Sequence, residues 1–168
     1  MTIKLNINQI MQYLPHRYPF LLIDAVDEII PGQTIKARKN VTINEGMFNG
    51  HYPENPVVPG VIQIEAMGQA GALLAIFSGA TLDEDKSIYV ALINDCKFRK
   101  PIIPGHVMVL TSKIVRARLG MWRLACECHV DGELASEALI TATTGPKIKT
   151  PPLPEGSPPP PFGPRKNA

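Results

Sequence analysis

The chain has 168 residues, of which 45% are hydrophobic and 19% are charged, and its formal net charge is +2. This length suits one domain with a buried core, while the small charge and an aromatic content of 6% argue against a nucleic-acid-binding surface. The three cysteines (Cys96, Cys126 and Cys128) lack metal-ligand spacing and are typical of reduced thiols in a cytosolic protein.

The N-terminal third of the chain predicts one short helix and two strands. A helix over Asn6 to Leu14 is capped by Asn6 or Asn8 and is stopped by Pro15. Strands are predicted over Leu21 to Ile30 and Gln33 to Ile43, separated by a Pro-Gly turn. No signal-peptide pattern precedes them, which favours a cytoplasmic location.

A long loop and a long apolar helix follow. The loop, Asn44 to Pro59, is rich in Gly, Asn and Pro, and its length in a compact domain indicates a functional loop. Pro59 suits the first helical position, and the helix continues to about Ser78. Because this helix carries Gln63, Glu65 and Gln69, we interpret it as a core helix and not a membrane span.

The C-terminal half predicts four strands joined by tight turns. Alternation is clearest in the third of them, where Trp122, Leu124 and Cys126 face one way and Arg123 and Glu127 the other. The four strands cover Ser87 to Phe98, Val107 to Leu119, Met121 to Val130 and Glu133 to Thr143. The pattern predicts an α+β fold: an antiparallel sheet of five to six strands wrapped around one long apolar helix.

The last segment differs in composition. Residues 146–168 are dominated by proline and cannot form a helix or a ladder, so we expect a disordered or polyproline-like tail after a folded domain at 1–145. Such a tail can be a docking ligand or a solvated extension.

The residues around the helix start can carry proton chemistry beside a carbonyl. His51 lies on a loop stiffened by Pro53, Pro56 and Pro59, and the helix that follows exposes N–H groups at Gly60. Glu65, one turn inside the helix, has no Lys or Arg three or four residues away, which favours a carboxyl that keeps its proton near neutral pH over one held in an ion pair.

These groups are compatible with more than one reaction on an acyl thioester. A neutral His51 could remove the proton next to the carbonyl while Glu65 protonates a departing hydroxyl, which is elimination of water. A carboxylate that activates water would instead make a thioesterase, and an acyl-binding module of the same architecture would use neither group.

Three separated motifs resemble the FabZ-type 3-hydroxyacyl-[acyl-carrier-protein] dehydratases. They are Leu14-Pro-His-Arg-Tyr-Pro-Phe-Leu-Leu-Ile-Asp24, His51-Tyr-Pro-Glu-Asn-Pro-Val-Val-Pro-Gly60 continued by Glu65-Ala-Met-Gly-Gln69, and Lys97-Phe-Arg-Lys-Pro-Ile-Ile-Pro-Gly105. The resemblance covers roughly residues 8–145 and departs from the family pattern at Tyr52, where phenylalanine is common, and in the proline-rich tail.

The resemblance implies a hot-dog fold, assembled as a dimer or a trimer of dimers, acting on an acyl carrier protein that bears a 3-hydroxyacyl thioester. It further implies that His51 and Glu65 are the catalytic pair, contributed by different subunits, and that the Gly60 N–H holds the thioester carbonyl. Related dehydratase/isomerases have aspartate in place of Glu65, so we expect dehydration without isomerisation. No cofactor or metal is expected.

Other residues have a functional and a structural interpretation. Tyr89 could gate an acyl tunnel or be a core tyrosine. The basic group Lys97, Arg99 and Lys100 could dock an acidic carrier protein or be solvated strand ends. For His16 and Arg17 we expect a structural role.

Overall fold

The computed structural model describes residues 2–80, 85–148 and 155. Within them the chain forms seven strands, two α-helices and a short 3-10 turn at Gly46–Asn49. The strands are β1 (Ile3–Leu5), β2 (Ala25–Ile30), β3 (Thr34–Asn40), β4 (Lys86–Phe98), β5 (Val107–Arg118), β6 (Met121–Val130) and β7 (Glu133–Pro146). The helices are α1 (Ile7–Tyr13) and α2 (Gly60–Phe77).

All strands belong to one antiparallel sheet in the order β1-β2-β3-β5-β6-β7-β4. The six strands predicted from the sequence are present, and β1 is a seventh. Its three residues are too few to show a period, which is why alternation did not reveal it. Asn6 caps α1 through a capping box with Gln9, as its sequence position predicted.

Helix α2 is the core helix that the sequence predicted. It is long and apolar enough to span a membrane by length and composition. Nevertheless its side chains Met67, Leu73 and Leu74 are fully buried, and it packs on β3, β5, β6 and β7. Pro59 is the N-cap, so the helix begins at Gly60, one residue later than predicted, and the Pro59 carbonyl accepts from the Gln63 N–H.

The inner face of the sheet follows the alternation that the sequence indicated for β6. The buried residues of this strand are Trp122, Leu124, Cys126, Cys128 and Val130, and β6 contacts α2. At the end of β7, the Lys147 N–H donates to the Asp85 carbonyl. Most of the predicted proline-rich tail, 149–154 and 156–168, lies outside the described residues.

Candidate active site

The loop that carries His51 is held at both ends by backbone hydrogen bonds. The His51 N–H donates to the Met47 carbonyl at 3.0 Å, and the Val58 N–H donates to Ile102 at 2.7 Å. Tyr52 adopts a left-handed conformation with φ of 52°, and its ring meets the imidazole edge-on with centroids 4.5 Å apart. A non-glycine residue in this region stores strain, which is common beside functional groups. The imidazole therefore has a defined position at the end of the loop.

The start of α2 offers two oriented hydrogen-bond donors beside His51. The Gly60 and Val61 N–H groups have no acceptor in the described part of the chain, as expected for the first turn of a helix. His51, Gly60 and Phe98 line one cavity of about 620 Å³. A Cβ on Gly60 would come within 2.7 Å of the Phe98 ring, so glycine is what lets this ring cover the helix start. The cavity joins an imidazole to a site that can polarise a carbonyl.

Glu65 is paired, contrary to the expectation of an unpartnered carboxyl. Its Oε1 accepts a hydrogen bond from Gln69 Nε2 at 2.9 Å and lies 3.5 Å from His16 Nε2. The absence of Lys and Arg at helical spacing does not exclude these partners, because Gln69 is uncharged and His16 comes from the loop after α1. The carboxyl is 27% exposed, so it remains accessible from outside this chain.

Within one chain, His51 and Glu65 do not share a cavity. Glu65 is absent from the lining of the cavity that holds His51 and Gly60. Its carboxyl instead faces the loop that carries His16 and Phe20. A single protomer thus contains a base with oriented donors at one place and an acid at another.

Near the site, His16 is the residue whose pKa departs from its ordinary value. Burial lowers the pKa of His16 below its usual value, an effect that Glu65 opposes and Arg17 reinforces. The imidazole is therefore neutral at neutral pH. Arg17, by contrast, donates to the carbonyls of Met11, Leu14 and His16, which confirms the structural role expected for it.

Gln63 was missed by the sequence analysis as a site residue. It is 3% exposed, its Nε2 donates to the Val58 carbonyl at 3.3 Å, and its buried Oε1 has no partner among the described residues. It lines the His51 cavity and braces the loop that leads into α2. A polar residue inside an otherwise apolar helix was the available signal.

Tyr89 lies at a second cavity of about 510 Å³, which His16 and Tyr13 also line. Its hydroxyl donates to the Pro146 carbonyl at 3.0 Å, and the residue is partly exposed. Tyr89 is therefore at a cavity wall and not in the core. Whether the ring moves as a gate stays a prediction.

The basic group Lys97, Arg99 and Lys100 is largely neutralised by its surroundings. Glu137 pairs with Lys97 and Arg99, and Glu133 pairs with Lys100 at 2.9 Å. The hydrogen bond from Arg99 lowers the pKa of Glu137, and the one from Lys100 lowers that of Glu133. The strand pairing of β4 with β7 brings these carboxylates in, which the linear sequence does not reveal.

A second basic cluster lacks such compensation in the part of the chain that the structure describes. Arg116, Arg118 and Arg123 surround a shallow cavity at the β5–β6 hairpin, together with the exposed side chains of Leu119 and Met121. None of the three guanidinium groups forms an ion pair within the described residues. Arg116 lies directly opposite Arg123, an arrangement of like charges that costs stability. Its arginines are spread over two strands, so no linear string in the sequence reveals the cluster.

Comparisons with known proteins agree with this architecture. A family model described as a FabA-like domain matches residues 14–139. The 3-hydroxyacyl-[acyl-carrier-protein] dehydratase FabZ of Polynucleobacter asymbioticus is 48% identical over 139 residues, covering 83% of this chain and 92% of that protein.

Two solved structures show the same fold at low identity. The dehydratase heterocomplex ApeI:P from Xenorhabdus doucetiae matches with a TM-score of 0.65 and 15% identity, covering 81% of this chain and 90% of that one. A hot-dog-like protein from Thermanaerovibrio acidaminovorans matches with a TM-score of 0.55 and 13% identity, covering 70% and 84%. The hot-dog fold implied by the sequence motifs is confirmed.

Proposed function

The chain belongs to the FabZ family of 3-hydroxyacyl-[acyl-carrier-protein] dehydratases, and we propose that its reaction runs between His51 of one subunit and Glu65 of another. The observation that carries this proposal is the separation of the two residues within one chain: His51 shares a cavity with Gly60, and Glu65 does not line it. A second subunit can supply the missing acid.

One edge of the sheet, strand β4, is suited to form the interface with that subunit. β1 ends the sheet with three residues, whereas β4 at the other edge has thirteen. The exposed apolar side chains Val90, Leu92 and Ile93 lie on β4. Because a long apolar edge strand invites pairing, we infer a dimer in which two β4 strands join. Phe98, at the end of β4, lines the His51 cavity. Pairing of the two β4 strands would therefore place the partner subunit, with its α2 and Glu65, near that cavity. A trimer of such dimers is the larger assembly expected for the family.

In the proposed reaction the thioester carbonyl accepts hydrogen bonds from the Gly60 and Val61 N–H groups. Neutral His51 removes the proton from C2, and the electron pair of the broken C2–H bond forms the C2–C3 double bond. The C3–O bond breaks, and Glu65 transfers its proton to the departing hydroxyl, which leaves as water. His51 ends protonated and Glu65 ionised, and proton exchange with solvent restores both. The reaction consumes no cofactor, and the product is the trans-2-enoyl thioester. We expect no further movement of the double bond, because Glu65 stands where related dehydratase/isomerases have aspartate.

The acyl group of the substrate is carried on the acyl carrier protein, which is an acidic protein. We infer that it docks on the uncompensated arginines Arg116, Arg118 and Arg123 in preference to the group at Lys97, whose charge two glutamates reduce. Uncompensated positive charge steers an acidic partner more strongly. The acyl chain would extend into the cavity bounded by Tyr89. The reduced cysteines and the substrate agree with a cytoplasmic enzyme.

Complementation between two inactive variants tests the shared site. His51→Ala and Glu65→Gln are each expected to abolish enoyl formation. Co-expressed, they should recover about a quarter of wild-type activity, because half of random dimers are mixed and each mixed dimer holds one intact site. No recovery in isolated mixed dimers would mean that both residues act within one chain. Release of free thiol without enoyl absorbance would instead identify a thioesterase.

A further inference from the structure

The carboxyl of Glu65 is approached by two nitrogen atoms that converge on the same oxygen. Gln69 Nε2 lies 2.9 Å and His16 Nε2 3.5 Å from Oε1. Oε2 has no hydrogen-bond partner among the described residues. The two carboxyl oxygens of Glu65 are therefore not equivalent in this protein.

The orientation of the Gln69 amide is fixed by the protein backbone. Its Oε1 accepts from the buried Leu22 N–H at 2.9 Å, and a backbone N–H can only donate. The amide nitrogen must then be the atom that faces both the Phe20 carbonyl, at 2.7 Å, and Glu65. Gln69 consequently donates to Glu65 in every protonation state of that carboxyl.

The hydrogen on His16 can be assigned in the same way. After Glu65 has given up its proton it can only accept, so the Nε2 that faces it must carry the hydrogen of the neutral imidazole. Nδ1 is then an acceptor, and it is buried with no hydrogen-bond partner among the described residues. An unpartnered buried nitrogen costs free energy, which a purely structural side chain would not need.

The loop that carries His16 is held firmly in place. Arg17 joins it to the Met11 and Leu14 carbonyls at the end of α1, and Gln69 joins it to α2 through Phe20 and Leu22. Little further ordering is needed for the imidazole to reach Glu65. Hydrogen bonds at catalytic groups are often long without substrate and shorten when it binds, so 3.5 Å is compatible with a functional contact.

We propose that His16 is a positioning residue for Glu65, which together with Gln69 holds the carboxyl through Oε1 so that Oε2 delivers the proton to the departing hydroxyl. This inference rests on the proposed function of Glu65. As the proton leaves, negative charge develops on the carboxylate, and the Nε2–H of His16 stabilises it. His16 thereby lowers the barrier of the step in which the C3–O bond breaks without touching the substrate.

Other charged groups around His16 bear on its pH dependence. Arg17 lies beside it on the same loop, and Glu65 faces it from α2. The cavity next to His16 also carries the titratable side chains of Tyr13, Tyr89, Lys86 and Lys147. In the proposed reaction Glu65 is the group facing His16 that gives up a proton, so its charge changes during turnover.

Two substitutions of His16 separate positioning from space filling. His16→Phe keeps the ring and removes the donor, whereas His16→Gln keeps a donor near the Nε2 position and removes the ring. We expect His16→Phe to lower kcat about 10- to 100-fold with little change in KM, and His16→Gln to recover most of that loss. The alkaline limb of the kcat–pH profile should move to higher pH in His16→Phe alone, because a donor to a carboxylate favours its charged form. His129→Gln, a change on the outer face of β6, is the matched control.

The proposal would be overturned if His16→Phe kept the wild-type kcat and the wild-type alkaline limb of the kcat–pH profile. It would also be overturned if His16→Phe and His16→Gln lost kcat equally while neither shifted that limb. If His16→Phe does not fold, the ¹⁵N chemical shifts of His16 in the wild-type protein decide. Hydrogen on Nε2 supports the proposal, and hydrogen on Nδ1 overturns it. Failure of the wild-type protein to form enoyl thioester would count against the proposed function itself, and the NMR result would still test the contact.

Discussion

Gln69 donates to Glu65 Oε1 over 2.9 Å while its own amide oxygen accepts from the Leu22 N–H over the same distance. One side chain thus joins the acid on α2 to the loop that follows α1. The amide is 2% exposed, so water cannot replace these bonds. Its contribution to stability and its contribution to catalysis should therefore be measurable in the same variants.

Replacement of Gln69 by Leu should reduce both stability and activity. The Leu22 N–H and the Phe20 carbonyl lose the hydrogen bonds that they form with the Gln69 amide. This loss should lower the free energy of unfolding by about 2–4 kcal/mol. Glu65 also loses a donor, so kcat should fall. Urea denaturation and enoyl formation measure the two effects, with the exposed Gln33→Leu as control. A fully stable and fully active Gln69→Leu would contradict the structure at this point.

The fold was largely predictable from the sequence because its pattern is local. The alternation in β6 and the apolar stretch from Gly60 to Phe77 each follow from burial of one face or one whole helix. The candidate site was only half predictable. His51 and Gly60 are joined by a short stiff loop, whereas the partners of Glu65 come from Gln69 and from His16, 49 residues earlier. Contacts at such separations depend on the packing of the loop on α2, which a single sequence does not encode visibly.

Charge clusters illustrate the same limit. Lys97, Arg99 and Lys100 look like a docking site as a linear string, but the sheet places Glu133 and Glu137 of β7 beside them. Register between distant strands decides whether a basic string is free or neutralised. The sequence does not provide that register by itself.

Two glycines of α2 should respond differently to alanine. A Cβ on Gly71 would lie 2.5 Å from Leu124 Cδ1 of β6, at a point where both residues are buried, whereas a Cβ on Gly68 would make an ordinary contact of 3.6 Å with Val90. We expect Gly71→Ala to destabilise by about 1–3 kcal/mol through overpacking. Gly68→Ala should be neutral or stabilise by up to about 1 kcal/mol through helix propensity. Urea denaturation of both variants checks the prediction, and the reverse order would refute it.

Docking of the carrier protein should depend on the arginines of the β5–β6 hairpin. Replacing Arg116, Arg118 and Arg123 by Ser should raise KM for a carrier-protein substrate roughly tenfold or more at low salt, and the difference should shrink as salt screens the charges. Turnover of a short thioester without the carrier protein should not change, because the cavity at His51 is not lined by these residues.

The comparison variant replaces Lys97, Arg99 and Lys100 by Ser. Since Glu133 and Glu137 already compensate these side chains, we expect a smaller effect on KM for the carrier-protein substrate. A larger effect from this triple variant than from the arginine variant would move the docking site to the end of β4.

The buried thiols of β6 should make the protein sensitive to alkaline pH. Burial raises the pKa of Cys126 to about 11 and that of Cys128 to about 12, so both remain protonated in the folded chain at pH 10. In the unfolded chain they ionise near pH 9, so the folded state then binds more protons and stability falls as pH rises. The loss should reach about 1.4 kcal/mol per thiol at pH 10. Denaturation curves from pH 8 to 10 under reducing conditions should show this loss in the wild type and a flatter profile in Cys126→Ala/Cys128→Ala. Parallel profiles in the two proteins would assign the alkaline sensitivity to other groups.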